Sequence, residues 1–148
     1  VEIVPETVQR ITGEDMLSFE FQIKTLKRNE IIDITSQVEN IVENSKVRDG
    51  IAIVYVPHTT AGVTINENAD PSVKRDFLTK MNHMIPEVDD YEHFEGNSDS
   101  HVKTILTNPS QTFIVENGRL KLGTWQGIYF CEYDGPRTRK VWVKLLEG

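Results

Sequence analysis

Residues 112–146 read TFIVENGRLKLGTWQGIYFCEYDGPRTRKVWVKLL, and their reading decides the fold class. β-Branched and aromatic residues recur in short runs, broken at Asn117-Gly118 and Asp134-Gly135-Pro136, the residue types that open tight turns. The stretch therefore predicts strands over 112–115, 120–122, 124–133 and 138–146. Strands following one another this way do not fit the strand–helix alternation of a parallel sheet.

Upstream, Ile51-Ala52-Ile53-Val54-Tyr55-Val56 is a β-branched run ended by Pro57, the pattern of a strand buried on both faces. Phe19 to Thr25 alternates apolar and polar, as a half-buried strand does. Lys27-Arg28-Asn29-Glu30 then reads as a turn and Ile31, Ile32 and Ile34 as a short strand, together a predicted hairpin. Three helices intervene. One is capped by Thr35 or Ser36 and turns Val38, Ile41, Val42 and Ser45 inward. A second starts at Asp70-Pro71, a cap followed by proline at the first helical position, and runs through Phe77 and Met81 to Ile85. The third covers 101–106, capped by Asp99 or Ser100, with Val102, Ile105 and Leu106 facing the core. The class is α+β: a single compact domain over 1–148, mostly antiparallel sheet with a few packed helices, and without internal repeats or linkers.

Composition narrows the function. The 148 residues carry a formal charge of −7, which opposes broad nucleic-acid binding because phosphates demand a basic surface. No apolar run approaches the ~20 residues of a bilayer span, and the opening VEIVPETVQRITGEDML lacks the pattern of a signal peptide. The expectation is a soluble, cytoplasmic protein with neither nucleic-acid nor membrane partners. Cys131 is the single cysteine, so a metal would have to be held by His, Asp and Glu. No histidine adjoins Cys131 in sequence, and a nucleophilic role is not favoured for it.

Three segments concentrate chemically capable side chains. His58 stands just past a strand end, with Thr59, Thr60 and Gly62 able to offer hydroxyls and a close backbone approach to an anion; Asn66 and Glu67 follow. An isolated histidine at a sheet rim is more often simply bonded to backbone, and Thr-Thr is also ordinary strand chemistry. His93 and His101 bracket HFEGNSDSH, which also supplies Asn97 and Asp99; a shared metal requires this chain to fold back as a loop, with His58 as third ligand. Arg119 and Arg137 sit at turns beside glycines, placed to grip phosphate oxygens, or to pair with surface acids. Trp125 reads as core or pocket wall, and His83 as a surface or packing residue of the second helix. Glu132 and Asp134, two apart on a strand, point to one face and suit Mg²⁺ or acid–base work; solvent-facing charge is the commoner case.

Taken together, HTTAGVTINENADP (58–71), HFEGNSDSH (93–101) and NGRLKLGTWQGIYFCEYDGPRTR (117–139) resemble the YjbQ-like family, some of whose members are described as secondary thiamine-phosphate synthases. The resemblance implies a layered β-structure with packed helices, a homotrimer, and sites near subunit boundaries. It implies an enzyme that joins a pyrimidine diphosphate to a thiazole phosphate and releases pyrophosphate. Under that reading His58, Glu67 and Asp99 are catalytic. Thr59, Thr60, Asn66, Asn97, Arg119, Gln126 and Arg137 bind substrate phosphate, and His58, His93 and His101 hold a divalent ion, Zn²⁺ or Mg²⁺. The alternative is a trimer that binds a metal or phosphorylated metabolite without turning it over.

Overall fold

Strand pairing in the computed structural model divides the β-structure into two antiparallel sheets. Residues 17–148 are described, together with the course of a first strand, β1 (Glu2–Arg10). The large sheet has the order β1-β2-β9-β4-β6-β7, with β2 Ser18–Lys24, β4 Gly50–Tyr55, β6 Ser110–Glu116, β7 Arg119–Lys121 and β9 Thr138–Glu147. The small sheet is β3-β8-β5, with β3 Glu30–Asp33, β5 Ala61–Glu67 and β8 Gln126–Glu132. The molecule is thus a single α+β domain.

The core lies between the sheets. Alternate residues of each strand, Phe21 and Ile23, Val54 and Val56, Val63, Phe130, Val143 and Leu145, are buried there, with Val38 and Val42 of α1 (Thr35–Ser45) closing one side. Each such side chain contributes about 1.5–3 kcal/mol relative to exposure. The central strand of the small sheet, β8, is covered on both faces: Ile128 and Phe130 face the core, while Tyr129, Cys131 and Tyr133 pack with Met81 of α2 (Pro71–Met84). Among the described residues no helix is long and apolar enough to cross a membrane.

Local signals explain most boundaries. Asp70 accepts the Ser72 N–H at 2.9 Å and Pro71 occupies the first turn of α2, as its sequence requires. Asn117 and Gly118 both take positive φ, 55° and 77°, the turn that joins β6 to β7. At α1 the bonding is done by Asp33, not Thr35 or Ser36: its carboxylate accepts the Thr35 N–H at 2.9 Å. The Thr35 hydroxyl instead accepts the Ile128 N–H at 2.8 Å, tying the helix to β8.

Three expectations are corrected. The 19–34 hairpin does not form, because β2 pairs with β9 and β1 whereas β3 pairs with β8; residues 25–29 cross from one sheet to the other. Strand β4 is covered on one face only, with Ile51 and Tyr55 exposed at 41% and 42%. The third helix, α3, spans Ser98–Thr107 and is turned over relative to its periodicity. Asp99, Ser100, Lys103, Thr104 and Thr107 are buried, while Val102, Ile105 and Leu106 are 38%, 74% and 56% exposed. Its inward face is satisfied by polar partners. Lys103 meets Asp99 at 3.1 Å and Asn82 at 2.7 Å, Ser100 donates to the Tyr133 carbonyl at 2.5 Å, and Arg28 holds Asp99 at 3.0 Å. Its C-terminal end reaches β5 because Gly62 has no side chain: a Cβ there would stand 2.7 Å from the Asn108 carbonyl oxygen.

Candidate functional site

Where β4 ends and β9 begins, the chain leaves a half-open cavity of about 670 Å³. Its wall comes from the strand end and following turn (Tyr55 to Thr60), the start of α3 (Asn97, His101), Glu95, the link after β8 (Asp134, Arg137), and Arg139 and Trp142 of β9. These pieces meet because β8 and β9 belong to different sheets. The Asp134-Gly135-Pro136 link must therefore cross the end of the sandwich, and it brings its own charges there.

The anchor is Arg139, only 4% exposed. Its Nε donates to both Glu132 oxygens at 2.9 and 3.1 Å, and its Nη2 reaches the same carboxylate and the Thr60 hydroxyl at 2.8 Å. Glu132, wholly buried, is completed by the Thr25 hydroxyl at 2.7 Å and the Asp134 N–H at 3.0 Å. That leaves Arg139 Nη1 without a partner among the described residues, on a side chain that lines the cavity. A guanidinium so fixed is a preformed donor for an anion, since little conformational freedom remains to be lost.

Arg137 is the exposed counterpart. Its side chain is 54% exposed and rests on Asp134, with Nη2 to the carboxylate at 3.0 Å and Nε to the carbonyl at 2.7 Å. Asn97 donates to the same carboxylate at 2.8 Å, and its own Oδ1 is buried without a partner among the described residues. Arg28 approaches Asp134 from behind at 3.5 Å. His101 lines the cavity, and His93 meets it edge to face with ring centroids 5.1 Å apart; His93 lies 3.7 Å from Glu95. His58 Nε2 accepts the backbone N–H of Lys140 at 2.8 Å. Burial, then the Arg139 guanidinium, holds the His58 imidazole below its ordinary pKa.

The expected residues thus separate into groups. His58, Thr59, Thr60, Asn97, His101 and Arg137 line one cavity, with His93 beside it. Asp99 does not: it is wholly buried between Arg28 and Lys103, out of reach of a bound ligand. Asn66, Glu67 and Gln126 lie at the other end of β5 and β8, roughly 20 Å along the strand. There Gln126 accepts the Gly123 N–H at 2.7 Å, and the Glu67 carbonyl accepts the Tyr129 hydroxyl. Arg119 sits at the β6–β7 turn, beside Arg48 and Lys46, at the opposite end of the large sheet. Cys131 is buried against α2, and burial pushes its thiol up to about 12. Sequence reasoning passed over Arg139, although its place just past the Asp134-Gly135-Pro136 turn, with Glu132 just before it, was a usable sign that the two charges share one end of the sandwich.

A divalent ion on His58, His93 and His101 does not fit this chain. Among the described residues no group of three or more His, Cys, Asp or Glu side chains is arranged to hold one, and His58 Nε2 is already engaged by Lys140.

Residues 19–148 match the family model described as UPF0047 protein YjbQ-like. The chain belongs to the YjbQ-like family. The UPF0047 protein MJ1081 of Methanocaldococcus jannaschii is 56% identical over 128 residues, covering 86% of this chain and 93% of that one. YugU of Bacillus subtilis is 55% identical, covering 84% and 96%. Among solved structures, an uncharacterized YjbQ/UPF0047 protein of Clostridium acetobutylicum superposes with a TM-score of 0.84 at 57% identity, covering 86% of this chain and 98% of that one. A Sulfolobus solfataricus protein of unknown function gives 0.85 at 33% identity, covering 88% and 96%. The fold of this YjbQ-like chain is therefore that of its family.

Proposed function

We propose that the cavity binds the phosphates of a small phosphorylated metabolite, and that the chain acts as a secondary thiamine-phosphate synthase. The observation that carries the phosphate reading is Arg139, buried and locked by Glu132, with no partner for its Nη1 among the described residues, on a side chain that lines the cavity together with Thr60 and His58. In the reaction the C–O bond to the diphosphate of the pyrimidine breaks, and its electron pair leaves with pyrophosphate. The thiazole nitrogen lone pair then forms the new C–N bond. The chemistry needs negative charge gathered at the leaving group more than it needs a nucleophile. Arg139 supplies a fixed donor, Arg137 swings from Asp134 onto the second phosphoryl group, and the exposed Thr59 hydroxyl and His101 complete the cradle.

The test supplies both precursors with Mg²⁺ and follows pyrophosphate release. Arg137→Ala and His101→Ala should each slow it by about tenfold or more; wild-type rates no higher than those of the variants refute the assignment. One observation favours binding without turnover: Asp134 of the cavity wall and the wholly buried Glu132 behind Arg139 are held by arginines and not free for acid–base work, which leaves the exposed Glu95 as the wall's other carboxylate. Tight pyrophosphate retention with no product decides for that reading.

Self-association belongs to the same proposal. Leu146, Ile51 and Ile114 are neighbours across β9, β4 and β6 on the outer face of the large sheet, all exposed. The face continues to Tyr55 and Trp142, stacked 5.8 Å apart on the cavity wall. A homotrimer seated there would cover apolar surface and wall the site. Ile51→Asp should shift the molar mass measured by light scattering towards the monomer; an unchanged mass excludes this face.

A further inference from the structure

We infer that His58 serves the cavity as a neutral hydrogen-bond donor through Nδ1–H, directed at a phosphate oxygen, and not as a base, an acid or a metal ligand. The inference rests on the phosphate reading above for the ligand, but on backbone geometry for the tautomer.

The pairing of β4 with β9 runs in register to Tyr55–Trp142, and the next rung of that kind would set residue 57 against Lys140. Pro57 ends the strand, so the ladder needs another acceptor for the Lys140 N–H. The His58 ring provides it, with Nε2 at 2.8 Å. A backbone amide can only donate, so Nε2 must carry its lone pair, and a neutral imidazole then carries its single proton on Nδ1. Nδ1 has no partner among the described residues and is not sealed in protein, on a side chain that lines the cavity.

The same bond fixes what His58 does not do. Nε2 cannot bind a metal or take a proton without forfeiting the Lys140 bond, and Nδ1 has no lone pair to offer. Burial, then Arg139, which reaches the Thr60 hydroxyl two residues along, and Lys140 disfavour a positive charge on the ring and outweigh the opposing pull of Glu132. The cavity then offers two fixed donors from neighbouring places, Arg139 Nη1 and His58 Nδ1–H. That suits an acceptor-only oxyanion such as phosphate and excludes a ligand that presents N–H groups at this point.

The experiment uses the full chain labelled with ¹⁵N-histidine at pH 7, with and without inorganic pyrophosphate, and assigns His58 by its disappearance in His58→Asn. Expected is an unprotonated Nε2 and a protonated Nδ1, with pyrophosphate shifting Nδ1 more than Nε2. A protonated Nε2, alone or together with Nδ1, overturns the inference. Pyrophosphate affinity by calorimetry gives the second arm. Asparagine can place an N–H where Nδ1 stands, so His58→Asn should bind within about threefold of wild type, whereas His58→Ala should lose roughly 10- to 100-fold. Equal losses in the two variants overturn the donor role. Wild-type protein that does not bind pyrophosphate refutes the phosphate reading and the donor role with it, whereas a wrong tautomer with pyrophosphate bound refutes the donor role alone.

Discussion

Replacing Arg139 by methionine keeps much of the side-chain volume but removes the only cation bonded to Glu132 among the described residues, and Glu132 is wholly buried. Glu132 retains two neutral donors, the Thr25 hydroxyl and the Asp134 N–H. Stranding a buried charge costs about 3–5 kcal/mol, which for a domain of this size lowers Tm by roughly 6–20 °C. The converse change, Glu132→Gln, should be milder, about 1–3 kcal/mol, because Arg139 keeps Thr60 and can reach water through the cavity its side chain lines. The double variant Arg139→Met with Glu132→Gln carries no stranded charge and should recover at least half of the single-variant loss, a coupling that only a direct pair produces. Urea denaturation of the four proteins at pH 7 measures each quantity. An Arg139→Met no worse than Glu132→Gln, or a double variant no better than Arg139→Met, refutes the account of the pair as the anchor of the site.

The His58 pKa is depressed in the fold, so below about pH 6.5 the unfolded chain takes up a proton that the folded chain resists. Stability should therefore fall as the pH drops from there towards the folded value, and the difference between urea midpoints at pH 7.5 and 5.5 should shrink in His58→Asn. Replacing Lys103, 1% exposed, by methionine should cost about 1–3 kcal/mol, because the wholly buried Asp99 loses one of two cations and keeps Arg28; denaturation showing under about 0.5 kcal/mol contradicts that. Gly62→Ala should lose about 1–3 kcal/mol by the same measurement, since its Cβ would press on Asn108 and Thr107 at the end of α3. Arg119→Ala should leave pyrophosphate affinity unchanged in calorimetry, as Arg119 lies at the far end of the large sheet.

Much of the secondary structure was legible because its signals are local. Asp70-Pro71 marks the start of α2 and Asn117-Gly118 the β6–β7 turn through interactions that span only a few residues. The candidate site was legible in part. His58, Thr60, Asn97, His101 and Arg137 do meet, but Asn66, Glu67 and Gln126 share their motifs with these residues and lie a strand's length away. A strand carries its two ends apart, so neighbours in a motif need not be neighbours in a site.

By itself the sequence determined the α+β class, most strands and helices, and the residue types available for anion binding. Only the tertiary structure decided which strands pair, and so that residues 25–29 and 134–137 cross between sheets and deliver Arg137 to the cavity. Tertiary structure also decided which face of α3 is covered. Periodicity identifies an apolar face but not what lies against it, and here the Arg28–Asp99–Lys103 network satisfies the polar face inside while Ile105 and Leu106 remain outside. The physical reason is common to all of these. Local signals act over one turn or one ladder rung, whereas pairing and burial are set by contacts between residues far apart in the chain, such as Arg28 with Asp99 or Thr25 with Glu132.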